Sequence, residues 1–296
     1  MSEYKNRSYL KWGLGLVLGL VLVASLGAWL LLANVWMGGF QPPEMAAARY
    51  NSKDVEGNLG GLPVRLPRNA VEFVEFDGDP GWSGKRQGAL PERTLNSKLA
   101  SFGFDVRYPD MAMVTSYALE SEKKNQSIYR TMWLRVGVTS GEIYPKDGFL
   151  DRRFACLVYP RPTYCGSSTP WWRDDYEKLS KPEHGLTAYA LKGVEPQSGL
   201  PARNGVNTKD VFVAKDAQGR VRTYIDCDNV QHEAAPCGHD FSMEYDGMHA
   251  LVYLKYRRGM LPHWQDIQNK VTQVMLGFVV RPDQFFPTAN APFVSR

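Results

Sequence analysis

The chain has 296 residues and a formal net charge of +4, half of it carried by the first eleven residues through Lys5, Arg7 and Lys11 against Glu3. The remainder is close to neutral and holds no concentrated basic stripe, which argues against a nucleic acid as partner. It is long enough to bury a substantial core, and nothing in it repeats at a fixed period.

Residues 1–11 read as a cationic tail and 12–36 as one transmembrane helix, because no charged side chain occurs between Trp12 and Pro43. At about 1.5 Å per residue the run is about 37 Å long, against a hydrocarbon core of about 30 Å. Trp12, Trp29 and Trp36 lie near its ends, where indoles prefer the interface. The cations before the span put the N-terminus in the cytoplasm and everything from about residue 40 on the far side. The apolar run is much longer than the 7–15 residues or so of a signal peptide, so a retained anchor is expected.

All four cysteines, Cys156, Cys165, Cys227 and Cys237, follow the span, as in an exported domain with two disulfides. Three pairings are open. The local ones, Cys156–Cys165 and Cys227–Cys237, are favoured; each closes a loop of about ten residues, worth about 2–3 kcal/mol.

Gly, Pro and Asn make 37–69 a linker, and 70–296 the exported domain. Val71–Phe76 has strand composition, and 77–93 is a loop with Asp-Gly and Pro-Gly steps. Phe102, Phe104, Val106 and Tyr108 alternate up to Pro109, and Met132–Thr139 reads likewise. Residues 193–209 form a further linker. Asp210–Lys215 and Arg220–Cys227 flank Asp216-Ala-Gln-Gly219 as a hairpin, and strands follow at 241–243 and 250–256. Beyond Pro262, Trp264, Ile267, Val271, Val274 and Phe278 recur at helical spacing. The predicted fold class is α+β: a mainly antiparallel sheet covered by this C-terminal amphipathic helix and preceded by the transmembrane helix.

Chemistry is sparse. The chain has no nucleophile elbow, phosphate loop, dinucleotide fingerprint or His-Glu-x-x-His. Cys227, His232, Cys237 and His239 are a candidate zinc set, but no tight Cys-x-x-Cys knuckle occurs and an oxidising compartment favours a disulfide. Asp174-Asp175 with Glu177, or Asp226 with Asp228, could serve as acid and base, although such acids are more often solvated or paired with Arg. His184, His249 and His263 stand alone, and Ser167-Ser168 has no nucleophile context. No catalytic, cofactor or metal site is expected.

The composition of Pro160–Tyr176 is that of a contact surface: Tyr164, Trp171, Trp172, Arg173 and Tyr176, stiffened by prolines and the expected Cys156–Cys165 bridge. The competing reading folds both indoles back as a small satellite core. Loop 77–93, with Trp82 and Arg86, is a second, weaker candidate.

Tyr224-Ile-Asp-Cys227, Pro236-Cys-Gly-His-Asp-Phe241, the strand with Tyr253 and Tyr256, Leu261-Pro-His-Trp-Gln-Asp-Ile267 and Phe104-Asp-Val-Arg-Tyr-Pro-Asp110 form a familiar cadence. Over roughly residues 100–280 the chain resembles membrane-anchored immunity proteins of Gram-negative bacteria. Those are partners of periplasm-acting type VI secretion effectors, most often lipases or phospholipases. The resemblance implies a single-pass inner-membrane protein with a periplasmic domain that neutralises a toxin by binding it, without catalysis. Its motifs are structural, so it assigns no contact residue. The alternative is an accessory or scaffold subunit of an inner-membrane complex, in which Gly15-x-x-x-Gly19 would pack the anchor against a neighbour.

Overall fold

Alternation of apolar and polar residues builds this molecule. The computed structural model describes residues 53–80, 91–158, 176–194, 198–205, 208–230, 232–245 and 247–281. The predicted span lies outside them; among the described residues no helix is long and apolar enough to cross a membrane.

Ten strands form one antiparallel sheet. They are β3 (Val71–Phe76), β4 (Leu99–Arg107), β5 (Ala112–Met113), β6 (Trp133–Thr139), β7 (Tyr176–Lys178), β8 (Thr187–Leu191), β9 (Lys209–Lys215), β10 (Val221–Asp228), β11 (Pro236–Tyr245) and β12 (Met248–Arg257). Their order is β3-β4-β6-β12-β11-β10-β9-β8-β7, with β5 also paired to β4. In β4, Phe102, Phe104 and Val106 are buried on one face, as the alternation predicts.

The inner face carries the main core. Helix α3 (Trp264–Gly277) buries Ile267, Val271 and Met275 against Phe104, Val136, Val252, Leu254, Ile225 and Phe241. A separate hairpin, β1 (Val55–Leu59) and β2 (Leu62–Leu66), adds Leu59, Val64 and Leu66 to the same core. Its turn uses Gly60 (φ 54°) and Gly61 (φ 119°), and Asn58 Oδ1 accepts from the Gly61 N–H at 2.8 Å. The hairpin is stitched to the end of α3, with Arg65 N donating to Phe278 O at 2.8 Å and Val280 N to Pro63 O at 2.9 Å. The stretch 37–69, read as a linker, therefore contributes core from Val55 onward.

The outer face is covered over one half only. Helix α2 (Phe149–Val158) lays Leu150, Phe154 and Leu157 on Tyr176, Leu191, Val211, Val213 and Tyr224 of β7 to β10. Helix α1 (Tyr117–Asn125) buries no side chain and is held by ion pairs, Lys123 to Asp105 and Arg107 Nη1 to Glu122 at 2.7 Å. The predicted antiparallel α+β architecture with a C-terminal helix is what the structure has.

Candidate binding surface

The predicted Cys227–Cys237 disulfide is present, joining residues directly opposite each other on β10 and β11 with Cα atoms 4.0 Å apart. It takes both sulfurs out of the candidate zinc set. Cys156 is disulfide-bonded as well; its expected partner Cys165 lies outside the described residues. His239 is buried on the inner face, where its Nε2–H donates to Gln268 Oε1 at 3.1 Å and its Nδ1 accepts from the Tyr256 hydroxyl at 3.1 Å. Both nitrogens of the neutral ring are thus satisfied, and burial lowers its pKa to about 4. His232 packs at a tilt against Tyr129 instead, with centroids 4.8 Å apart and the ring planes at 60°. Among the described residues no three metal-binding side chains come together.

Asp226 and Asp228 are ion-paired rather than poised, and Asp174 and Asp175 lie outside the described residues. Arg153, from α2, reaches Asp226 at 2.8 Å and also Asp240, while Lys209 binds Asp226 from the other side. Burial pushes Asp240 up to about 6 against the pull of Arg153. Arg203 and Arg258 both close on the buried Asp210 at 2.8 Å.

Of the predicted contact residues, Tyr164, Trp171, Trp172, Arg173, Trp82 and Arg86 lie outside the described residues. Tyr176 is described: on β7, 8% exposed under α2, its hydroxyl donates to Lys209 O at 3.0 Å. This tyrosine is core, and the physical reason is that β7 pairs with β8 and turns its ring toward α2.

What the reading of the sequence passed over is the other half of the outer face. There a groove of about 340 Å³ runs over β3, β4, β6 and β12, between Phe73 and Tyr253. The strand register sets its floor. One row across the sheet reads Glu72, Gly103, Gly137, Tyr253 and Asp240; the next reads Asp105, Arg135, Lys255 and Gly238. Two mid-strand glycines therefore lie side by side where the neighbouring strands carry side chains. A Cβ at Gly137 would meet nothing nearer than Tyr253 O at 3.9 Å, and one at Gly103 would meet only backbone oxygens, the nearest Val136 O at 3.3 Å. Gly238 differs: Tyr253 lies over it, with Cε2 3.0 Å from where a Cβ would be. The walls are exposed aromatics, Phe73 at 57% and Tyr253 at 41%.

Arg135 lines the groove together with Glu72, and Lys255 stands just beyond the lining, one strand over. Arg135 and Lys255 are directly opposite each other on β6 and β12, a like-charge arrangement that costs stability. Arg135 touches Asp105 at 3.3 Å and Glu72 at 3.6 Å. Exposed Lys255 has no hydrogen-bond or ion-pair partner among the described residues. A glycine inside a strand weakens it and marks a place where another molecule can approach the backbone closely. The sequence carried that signal in Phe102-Gly-Phe104 and Val136-Gly-Val138.

No family model matches this chain, and no curated protein matches it. Among solved structures it is similar to Smlt3025, an immunity protein of the Stenotrophomonas maltophilia type IV secretion system. The two are 19% identical over 77% of this chain and 94% of that one, with a TM-score of 0.49. A likeness of this extent carries no argument about function.

Proposed function

We propose that this chain is an immunity protein that binds a secreted toxin and neutralises it by occupying or distorting the toxin's working surface. The observation that carries the reading is the open, glycine-floored groove, walled by exposed aromatics and lined almost wholly by apolar surface. Inhibition of this kind needs complementary contact and no catalytic group. The motifs of residues 100–280 support the same class. In its finer form the toxin is a type VI effector acting on the envelope, a lipase or phospholipase. The span 12–36 then holds the domain in the periplasm beside the inner membrane, where restriction to a surface raises its effective concentration. Tyr164, Trp171, Trp172 and Arg173, with Trp82 and Arg86, remain part of the proposed contact; buried Tyr176 does not.

The full-length chain, immunoprecipitated from its native host, should bring down one secreted enzyme in stoichiometric amount. A strain lacking the chain should then be killed by kin that deliver that enzyme. A chimera with an unrelated single-span anchor should still protect. Protection that depends on the native anchor, or recovery of several inner-membrane proteins and no toxin, would replace this reading with the scaffold subunit, for which Gly15 and Gly19 are the observation in favour.

A further inference from the structure

The molecule contains its own precedent for what the groove accepts. On β11 the glycine at 238 leaves a bare patch of backbone, and the aromatic ring of Tyr253 lies down on it. Aromatic cover of a strand glycine restores the packing that the missing side chain gives up. One row away, Gly103 and Gly137 are directly opposite each other on neighbouring strands and offer a bed twice as wide. Among the described residues no side chain comes within 4 Å of a Cβ built at either. A flat ring or a large aliphatic side chain from a partner fits that bed.

Charge states what should stand beside it. Arg135 and Lys255 are two residues along their strands from Gly137 and Tyr253, about 7 Å at strand rise, and on the same face. A like-charge pair opposed across a ladder is unfavourable until an anion comes between its members. Lys255 makes no ion pair among the described residues, whereas Asp105, the acid nearest Arg135, is already held by Lys123. The glycine pair and the cationic pair are independent features of the lattice, and they lie in adjacent rows.

Resting on the reading of the chain as a toxin-binding protein, we infer that the partner presents an aromatic or large aliphatic side chain next to a carboxylate. The apolar group lies on Gly103 and Gly137 between Phe73 and Tyr253, and the carboxylate bridges Arg135 and Lys255.

A displayed random-heptapeptide library selected on the full-length chain tests this. Enriched sequences should place Trp, Tyr, Phe or Leu within two residues of Asp or Glu. Binding of the enriched peptides should fall by at least about tenfold on Gly137→Leu, which fills the bed, and on Lys255→Glu, which reverses the rim. Gly137 has room for a Cβ, and Lys255→Glu turns an opposed like-charge pair into an attractive one. The melting temperature of the second variant should therefore hold or rise while its binding falls. A consensus without the acid, enriched peptides that bind both variants as well as wild type, no enrichment, or a groove occupied by a second copy of the chain would each overturn the inference. The two readings also fail separately. Full protection from the toxin by Gly137→Leu removes the groove and leaves the immunity function. Acidic-aromatic peptides selected by a chain that captures no toxin do the reverse.

Discussion

The two halves of the outer face belong to one sheet, yet they are finished in opposite ways. Over β7 to β10 the strands present Tyr176, Leu191, Val211, Val213 and Tyr224, and α2 covers them with Leu150, Phe154 and Leu157. Where the same face crosses β4 and β6, it presents Gly103 and Gly137, and helix α1 reaches it through ion pairs to Asp105 and Arg107 without burying a side chain on it. Large side chains make a covering helix worthwhile, at about 25 cal/mol per Å² buried. Glycines remove that incentive, leaving a shallow apolar strip that stays soluble and can still receive a partner. The contrast teaches that bareness here is written into the strands.

The largest expected effect lies on the covered half. Arg153→Ala would leave Asp240 buried without its guanidinium, and urea unfolding at pH 7 should show a loss of about 3–5 kcal/mol. If the loss were under about 1 kcal/mol, the ionic seam beneath α2 would contribute little and the two halves would differ less than they look.

The next contrast sets one face against the other at adjacent residues. His239 faces inward with its pKa lowered from 6.5 to about 4, so its contribution is complete above pH 6.5 and is lost as pH falls toward 4. Asp240 faces outward with its pKa raised from 3.8 to about 6, so its contribution is complete below about pH 4 and is lost as pH rises toward 6. The slopes oppose each other, and wild-type stability should be nearly flat between pH 4 and 6.5. Asp240→Asn should uncover the His239 slope, on the order of 3 kcal/mol over that window and declining toward acid. An equally flat curve for the variant would show that neither group is shifted as its surroundings imply.

The smallest effect belongs to the open half. Gly137→Ala should leave stability unchanged or raise it by about 0.5 kcal/mol, because alanine loses less entropy on ordering and the site has space. A loss above about 1 kcal/mol would mean the bed is already occupied.

Most of the sheet was legible because β4, β6 and β12 alternate over seven to ten residues, and because β9 and β10 are β-rich runs on either side of Asp216-Ala-Gln-Gly219. Helix α3 was legible from the spacing of Trp264, Ile267, Val271, Val274 and Phe278, although Met275 rather than Val274 is the residue fully buried in its last turns. Helix α2 was not, since its stripe of Leu150, Phe154 and Leu157 spans barely two turns. Helix α1 has no buried residue, so no apolar period could reveal it. The β1–β2 hairpin hid behind Gly60-Gly61, whose composition reads as linker although Val64 and Leu66 alternate. Gly103 and Gly137 were visible residue by residue, but only the register of β4 on β6 brings them together.

The stitch between β2 and the end of α3 bears on how the protein is made. Pro63, Val64 and Arg65 find their partners in Phe278, Val279 and Val280, close to the opposite end of the chain. At about 5–20 residues per second, a ribosome delivers the second set on the order of 10–40 s after the first. During that interval Leu59, Val64 and Leu66 have no finished core to enter, and the nascent polypeptide stays open for a chaperone to hold. A product truncated anywhere before residue 278 keeps those apolar side chains on view, and this marks it for proteolysis.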